Sequence, residues 1–182
     1  EQLREVTNAV WVAEALREVG FDVDAEEERV KAALNVFFQD YIDSLYLREG
    51  AEKLIKKAVE HGWVGLISNF TRAPVVYSSM RQLGISGFFD ATVVSDEIGW
   101  RKPSSRIFEK VLSQLKIKAS EAVYIGDSPL EDIKGARDVG LRTVFVPSQF
   151  NSQKDLLESK IKPDFTVDSL GEICERFDEI TG

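Results

Sequence analysis

From Trp63 onward the sequence alternates short apolar runs with longer amphipathic stretches, and this alternation constrains the fold more than any other feature. The runs cover residues 63–67, 91–95, 122–125, 142–146 and 165–167. The first of them, short and continuous, suits a strand buried on both faces, and the others read as strands too. Between them, residues 75–83, 105–115 and 130–139 carry apolar side chains at three- and four-residue steps, the helical period. Gly84 and Gly140 stand where two of these helices should stop. Strands alternating with helices predict an α/β fold, a parallel sheet with flanking crossover helices.

The first third reads differently. Val6, Ala9, Val10, Ala13, Leu16 and Val19 share one helical face, predicting a helix over residues 3–19. Asp24, with Glu27 three positions on, has the form of a capping box. After it, Val30, Ala33, Leu34, Phe37, Phe38, Tyr41, Ile42 and Leu45 form the apolar stripe of a second helix over residues 26–45. A third helix, around Leu54–Val59, is ended by His61-Gly62. The stretch 147–155 is polar and reads as an exposed loop.

Composition removes several function classes. With 182 residues the chain is one domain, or one domain with a small appendage. Its 23 Lys and Arg against 31 Asp and Glu leave a net charge of −8, unsuited to generic nucleic-acid binding. A single cysteine, Cys174, and a single histidine, His61, provide neither a disulfide framework nor a Cys/His metal cluster. No apolar run approaches the roughly 18–20 residues of a membrane span, and no signal peptide is visible. A cytoplasmic protein with no membrane partner is the expectation.

Open parallel sheets bind ligands beyond the carboxyl ends of their strands. Those ends carry Ser68-Asn69, Ser95-Asp96 and Gly126-Asp127-Ser128, and Lys102 lies on the loop after the second of them. Taken singly, each residue has an ordinary reading: a strand-end hydroxyl, a solvated loop lysine, a turn acid. Asp132 alone reads as an acid at a helix N-terminus, stabilised by the macrodipole. Their joint order is what carries information.

Three segments occur in sequence: Gly65-Leu66-Ile67-Ser68-Asn69-Phe70, Gly99-Trp100-Arg101-Lys102-Pro103, and Ile125-Gly126-Asp127-Ser128 with Asp132. Lys102 lies 34 positions after Ser68, and Asp127 lies 25 after Lys102. Phe88-Phe89-Asp90, Ile107-Phe108 and Gly135-Ala136-Arg137 flank them. In this order and spacing the chain resembles the haloacid dehalogenase superfamily from roughly Leu45 to the C-terminus. The resemblance implies a Rossmann-like α/β core over residues 47–182. Residues 1–46 would be part of a helical cap, which in relatives closes over the site.

By that resemblance Ser68 donates its hydroxyl to a phosphate, with the Asn69 loop beside it. Lys102 sets a positive charge against both the phosphate and the nucleophile, Asp127 binds Mg2+, and Asp132 orients a metal-bound water or Lys102. Phosphoryl transfer to a carboxylate requires such neutralisation, because two anions must meet. The implied partner is a small phosphorylated metabolite. The sequence leaves its identity and the oligomeric state open.

The family's first motif is missing: an apolar strand ending in two aspartates one residue apart. The first is the family's nucleophile; the second protonates the leaving group and activates water. Asp22-Val23-Asp24 is the nearest text, but it follows an amphipathic helix and precedes Ala25-Glu26-Glu27, so it reads as turn and cap. In the family that strand lies between those ending at Ser68 and Gly126. Without it, unpaired edges would face each other, a liability in any sheet. Each buried unpaired amide or carbonyl costs about 1–3 kcal/mol. The chain opens on Glu1 and its one methionine is Met80, so the expectation is a native upstream segment holding that strand and a first cap helix. The enzyme reading is a Mg-dependent phosphatase, inactive until the strand is supplied. The alternatives are a catalytically dead phosphate-binding or regulatory module, and a 2-haloacid dehalogenase-like enzyme, disfavoured by the metal-binding acid.

Overall fold

The computed structural model describes residues 3–182. Strand β1 (Gly65–Ser68) runs parallel to β2 (Ala91–Val94), with Gly65 opposite Ala91 and Ser68 opposite Val94. Strands β3 (Val123–Gly126), β4 (Arg142–Phe145) and β5 (Phe165–Thr166) form a second parallel set, with Val123 opposite Arg142 and Val144 opposite Phe165. The fold is α/β, as the alternation predicts.

Local chemistry sets the crossovers. Helix α4 (Ala73–Gln82) joins β1 to β2, and α6 (Ser105–Leu115) leads from β2 toward β3. At Gly84 the amide returns to Arg81 O at 3.1 Å, and the Ile85 amide to Met80 O at 2.9 Å. Gly84 sits at φ +70°, the left-handed residue that such a helix stop needs. Gly140, at φ +89°, ends the next crossover with the same pair of bonds, to Arg137 O and Ala136 O.

Helices cover both faces. On one, Ile107, Phe108 and Val111 of α6 pack with Ala91 and Val93 of β2 and Ala136 of α7 (Gly135–Asp138). On the other, Leu54 of α3 (Ala51–His61) packs with Val144 and with Ile173, Phe177 and Ile180 of α9 (Leu170–Glu175) and α10 (Phe177–Thr181). Ile107 and Phe108 are wholly buried; each such side chain contributes about 1.5–3 kcal/mol. Among the described residues no helix is long and apolar enough to cross a membrane.

Helices α1 (Asn8–Glu18) and α2 (Glu28–Ser44) share a separate apolar cluster, built on Ala9, Ala13, Val30, Leu34, Phe38 and Ile42 and joined by Val75 of α4. Every fourth residue of α2 is buried, so the stripe is narrower than the sequence suggests: Phe37 is 70% exposed. The first helix begins later than periodicity predicts. Leu3–Glu5 are instead extended against the loop after β2, with the Glu5 amide on Gly99 O and the Arg101 amide on Leu3 O. The expected capping box at Asp24 is also altered. Glu27 accepts from the Asp24 amide at 2.6 Å, but the Asp24 carboxylate turns to the Glu26 amide at 2.9 Å.

The single sheet expected from the sequence is divided in two. Among the described residues β1 pairs with β2 alone, and β3 pairs with β4 alone. Between the two inner edges lies a cavity of about 470 Å³, lined by Gly65 and Ile67 on one side and Val123, Tyr124 and Ile125 on the other. Burial is therefore inverted for a sheet with helices on both faces. The flanking strands are buried, Val93, Val94, Val144 and Phe145 all at 2% exposure or less, while Ile125 of β3 is 36% exposed. The prediction that residues 63–67 are buried on both faces fails because one edge of β1 borders this opening, as does one edge of β3.

Candidate active site

The carboxyl ends of β1 and β3 converge on Lys102. Its ammonium meets Asp132 Oδ1 at 2.5 Å and donates to the Tyr124 hydroxyl at 3.1 Å, and that hydroxyl donates to the same Asp132 oxygen at 2.9 Å. The pair is buried, with side-chain exposures of 10% for Lys102 and 6% for Asp132. Asp132 Oδ2 faces the end of β3, where it accepts from the Asp127 amide at 3.1 Å and the Ser128 amide at 2.9 Å. One carboxylate thus joins a lysine from one loop to the backbone of another.

Burial pushes the Asp132 carboxyl up, but the Lys102 charge and its hydrogen bond, with those from the Ser128 amide and Tyr124, outweigh it. The net direction is down from the ordinary carboxylate value. Tyr124 moves well up, first by burial and then by the Asp132 charge, so its phenol stays protonated.

The backbone has a residue-specific reason for this geometry. A Cβ on Gly126 would stand 2.5 Å from Asp132 Cβ and 2.7 Å from its Oδ2, so only glycine lets the acid approach the strand end. Ser128 opens the following helical turn by accepting the Glu131 amide at 3.2 Å. That turn, Pro129–Lys134, is a π-helix rather than the α-helix expected over residues 130–139. The Ser128 carbonyl accepts both the Asp132 and the Ile133 amides, at 3.0 and 3.1 Å. Such bulges inside helices recur at functional sites.

At the end of β1, Asn69 reaches across to the lysine loop. Its Oδ1 accepts the Lys102 amide at 2.7 Å and its Nδ2 donates to the Lys102 carbonyl at 3.1 Å. The following Lys102–Pro103 peptide is cis. Ser68, one residue before Asn69, is half-buried, and its hydroxyl makes no hydrogen bond among the described residues. Ser95 lies apart from the lysine cluster, bound to the Phe70 amide and to Glu5, and Asp96 accepts the Ala73 amide at the start of α4.

Asp127 is held from the loop beyond β4. Ser148 Oγ donates to its Oδ2, and Asn151 Nδ2 approaches the same oxygen at 3.4 Å. The described residues contain no group of three or more His, Cys, Asp or Glu side chains placed to hold a metal. A hard dication that keeps most of its waters needs only one or two protein carboxylates. Asp132 is committed to Lys102 and two amides, so Asp127 fits as one ligand of such an ion.

Sequence reasoning passed over Tyr124, Ser148 and Asn151. Tyr124 carried a signal, a lone hydroxyl in an otherwise apolar strand. The stretch 147–155 carried another, since it also follows the carboxyl end of a strand. Its final part is not loop but the start of α8 (Gln153–Ser159), where Ser152 and Asp155 form the reciprocal capping box.

A model of the haloacid dehalogenase-like hydrolase family matches residues 2–140. The chain is 30% identical over 146 residues to a ribulose-1,5-bisphosphate 5-phosphatase of Halopiger xanaduensis, covering 78% of this chain and 61% of that protein. It is likewise 30% identical over 139 residues to a glyceraldehyde 3-phosphate phosphatase of Pyrococcus furiosus, covering 75% and 58%. This chain therefore spans about three fifths of the length of these curated relatives. In fold it is similar to a 2-haloacid dehalogenase from Pseudomonas syringae pv. Tomato DC3000, with a TM-score of 0.72 over 94% of this chain and 70% of that one, at 21% identity. The ordered motifs and a family match over most of the sequence agree: the chain belongs to the haloacid dehalogenase-like hydrolases.

Proposed function

We propose that this chain forms the greater part of a Mg-dependent phosphohydrolase acting on a small phosphorylated metabolite. It would turn over only with an Asp-x-Asp strand between β1 and β3. Relatives named as phosphatases of small sugar and triose phosphates support the reaction class. The observation that carries the reading is the buried Lys102 ammonium where β1 and β3 end, held by Asp132 and Tyr124 on a backbone that Asn69 fixes.

The roles follow from charge. Ser68 donates its free hydroxyl to a non-bridging phosphate oxygen. Lys102 faces both that phosphate and the incoming carboxylate, lowering the repulsion between two anions. Asp132 keeps the lysine in place and the Asp127 loop closed upon it. The first aspartate of the supplied strand attacks phosphorus, and the ester P–O bond breaks as the second gives its proton to the leaving oxygen. That second carboxylate then takes a proton from water, which attacks phosphorus and frees the first aspartate. Mg2+, when bound, supplies further neutralisation of the phosphate, and Asp127 would hold it, oriented by Ser148 and Asn151. Helices α1 and α2 serve as part of the cap, and the enzyme works in the cytoplasm.

The test is phosphate release from glyceraldehyde 3-phosphate, ribulose 1,5-bisphosphate and an aryl phosphate. The chain is joined through a flexible linker ahead of residue 1 to an apolar strand ending in Asp-x-Asp. The expected result is Mg-dependent turnover that disappears when the first strand aspartate becomes asparagine and falls sharply in Lys102→Ala. Undiminished activity in Lys102→Ala would remove this site. Phosphate binding without turnover would favour a binding module.

A further inference from the structure

We propose that Glu5 and Ser95 are positioning residues for the loop that carries Ser68. Glu5, three residues before α1, directs the Ser95 hydroxyl, and that hydroxyl holds Phe70, two residues after Ser68. The assignment rests on the reading of Ser68 and Lys102 as the phosphate site.

Ser95 is the first residue after β2 and is wholly buried. Its oxygen accepts the Phe70 amide at 3.0 Å, and two acceptors compete for its single proton: Glu5 Oε2 at 2.5 Å and the Phe70 carbonyl at 3.3 Å. The carboxylate is the nearer and the charged one, so it takes the proton. A hydroxyl that donates to a carboxylate becomes a better acceptor in turn, here for the Phe70 amide. Without Glu5 the proton turns to the Phe70 carbonyl, and the hold on the amide weakens.

Glu5 has little else to do. Its side chain is 2% exposed, and among the described residues its oxygens otherwise meet only the Val6 amide at 3.1 Å and Arg101 Nη1 at 3.9 Å. A carboxylate buried with so distant a counter-charge costs stability. The segment does not need it as an anchor, because the backbone bonds from the Glu5 amide to Gly99 O and from the Arg101 amide to Leu3 O already tie it down. Those bonds also lay residues 3–5 along the chain leading into Lys102, so one segment reaches both arms of the site.

Phe70 is where the holds on the loop meet. Its ring packs against Phe38 and Tyr41 of α2, with centroids 5.7 Å away in each case. Just beyond it Arg72 donates to Asn35 of α2, and Asp96 accepts the Ala73 amide at 2.7 Å. Just before it Asn69 grips the Lys102 backbone. A shift of Phe70 therefore disturbs the Ser68 hydroxyl and the Lys102 backbone together.

The test reads the loop directly, by hydrogen exchange in chain 1–182. In Glu5→Ala the Phe70 amide should exchange about tenfold faster, the equivalent of one lost hydrogen bond, although it lies 65 positions away. The Val144 and Phe145 amides of β4 should keep the parent's rate, which shows that the variant is folded. Glu5→Gln retains an acceptor for Ser95 and should recover most of the protection. Ser95→Ala should lose more, and adding Glu5→Ala to it should change nothing further, because Glu5 acts through that hydroxyl. In the chain supplied with its Asp-x-Asp strand, kcat/KM for phosphate release should fall by about the same tenfold in Glu5→Ala and return in Glu5→Gln. Unchanged exchange at Phe70, equal quickening at Val144 and Phe145, additive losses in the double variant, or no recovery in Glu5→Gln would overturn the proposal. Loss of Phe70 protection beside a strand-supplied parent that releases no phosphate supports the hold on the loop while removing the phosphatase reading. Turnover by that parent, with Phe70 protection untouched in Glu5→Ala, does the reverse.

Discussion

Asn69 grips Lys102 by its backbone on both sides, accepting the amide at 2.7 Å and donating to the carbonyl at 3.1 Å. No charge is involved, so the contact sets position rather than electrostatics. In Asn69→Ala both bonds are lost, at about 0.5–1.5 kcal/mol each. Urea denaturation should show a loss within that summed range. Asn69→Asp keeps the acceptor but loses the donor and should recover part of it. Should Asn69→Ala match the parent in stability and in binding of the phosphate analogue vanadate, the grip has no consequence.

The Lys102–Asp132 pair is a different kind of contact, since each partner makes the other's burial tolerable. Asp132→Ala leaves an ammonium in a site only 10% exposed, a change that costs about 3–5 kcal/mol. Replacing both residues, Lys102→Met with Asp132→Leu, removes the stranded charge. The double variant should then be less destabilised than the sum of the single ones. A double-mutant cycle in urea measures the coupling, and additive losses would show that the pair does not act as a unit.

The same pair makes stability depend on pH. A carboxyl held below its ordinary value of 3.8 in the folded chain binds a proton less readily there than in the unfolded chain. Its contribution is therefore complete above the unfolded value and is lost as pH falls through the folded one. The stability gap between the parent and Asp132→Asn should be constant near neutrality and narrow below about pH 4. Thermal melts across pH 3 to 7 give the comparison, and a gap that widened in acid would contradict the assigned direction.

The strands were legible because each is a short apolar run set between stretches of helical period, and every predicted run lies within a residue or two of its observed strand. The placement of the candidate residues was legible too: Ser68 closes β1, Lys102 lies on the connection after β2, and Asp127 and Asp132 come after β3. What periodicity could not reveal are contacts made across the fold. Leu3–Glu5 have helical spacing yet lie extended, because Arg4 bridges to Trp100 and the Glu5 carboxylate reaches Ser95, 90 positions away. The π-turn at Pro129–Lys134 depends on Asp132 bending back to two amides, an interaction with no apolar signature. Tyr124 passes in sequence for a strand residue, and only the fold brings its hydroxyl to Lys102.

Gly126 is the test of how closely Asp132 must approach. A methyl group there would overlap Asp132 Cβ, Cγ and Oδ2, all within 2.7 Å of the added carbon. Either the strand end or the acid must move, a form of overpacking that costs about 1–3 kcal/mol. Gly126→Ala should thus be destabilised. It should also lose the coupling between Lys102 and Asp132, while Gly87→Ala, where an added carbon meets nothing within 4 Å, should be nearly neutral. Calorimetric melts of the two variants distinguish a local steric demand from a general sensitivity to replacing glycine.

Ser148 and Asn151 converge on Asp127 Oδ2 from the loop beyond β4, so they decide how that carboxylate is presented. Groups of this kind around a metal ligand typically affect affinity by about 10–100-fold. In the chain supplied with its Asp-x-Asp strand, Ser148→Ala should raise the Mg2+ concentration needed for half-maximal phosphate release by about that factor. Maximal turnover at saturating Mg2+ should change little, because Ser148 touches neither Lys102 nor Ser68. Asp127→Asn should instead abolish the Mg2+ response at every concentration tried. A Ser148→Ala enzyme with an unchanged Mg2+ midpoint would mean that Asp127 is positioned by its backbone alone, through the amide it donates to Asp132.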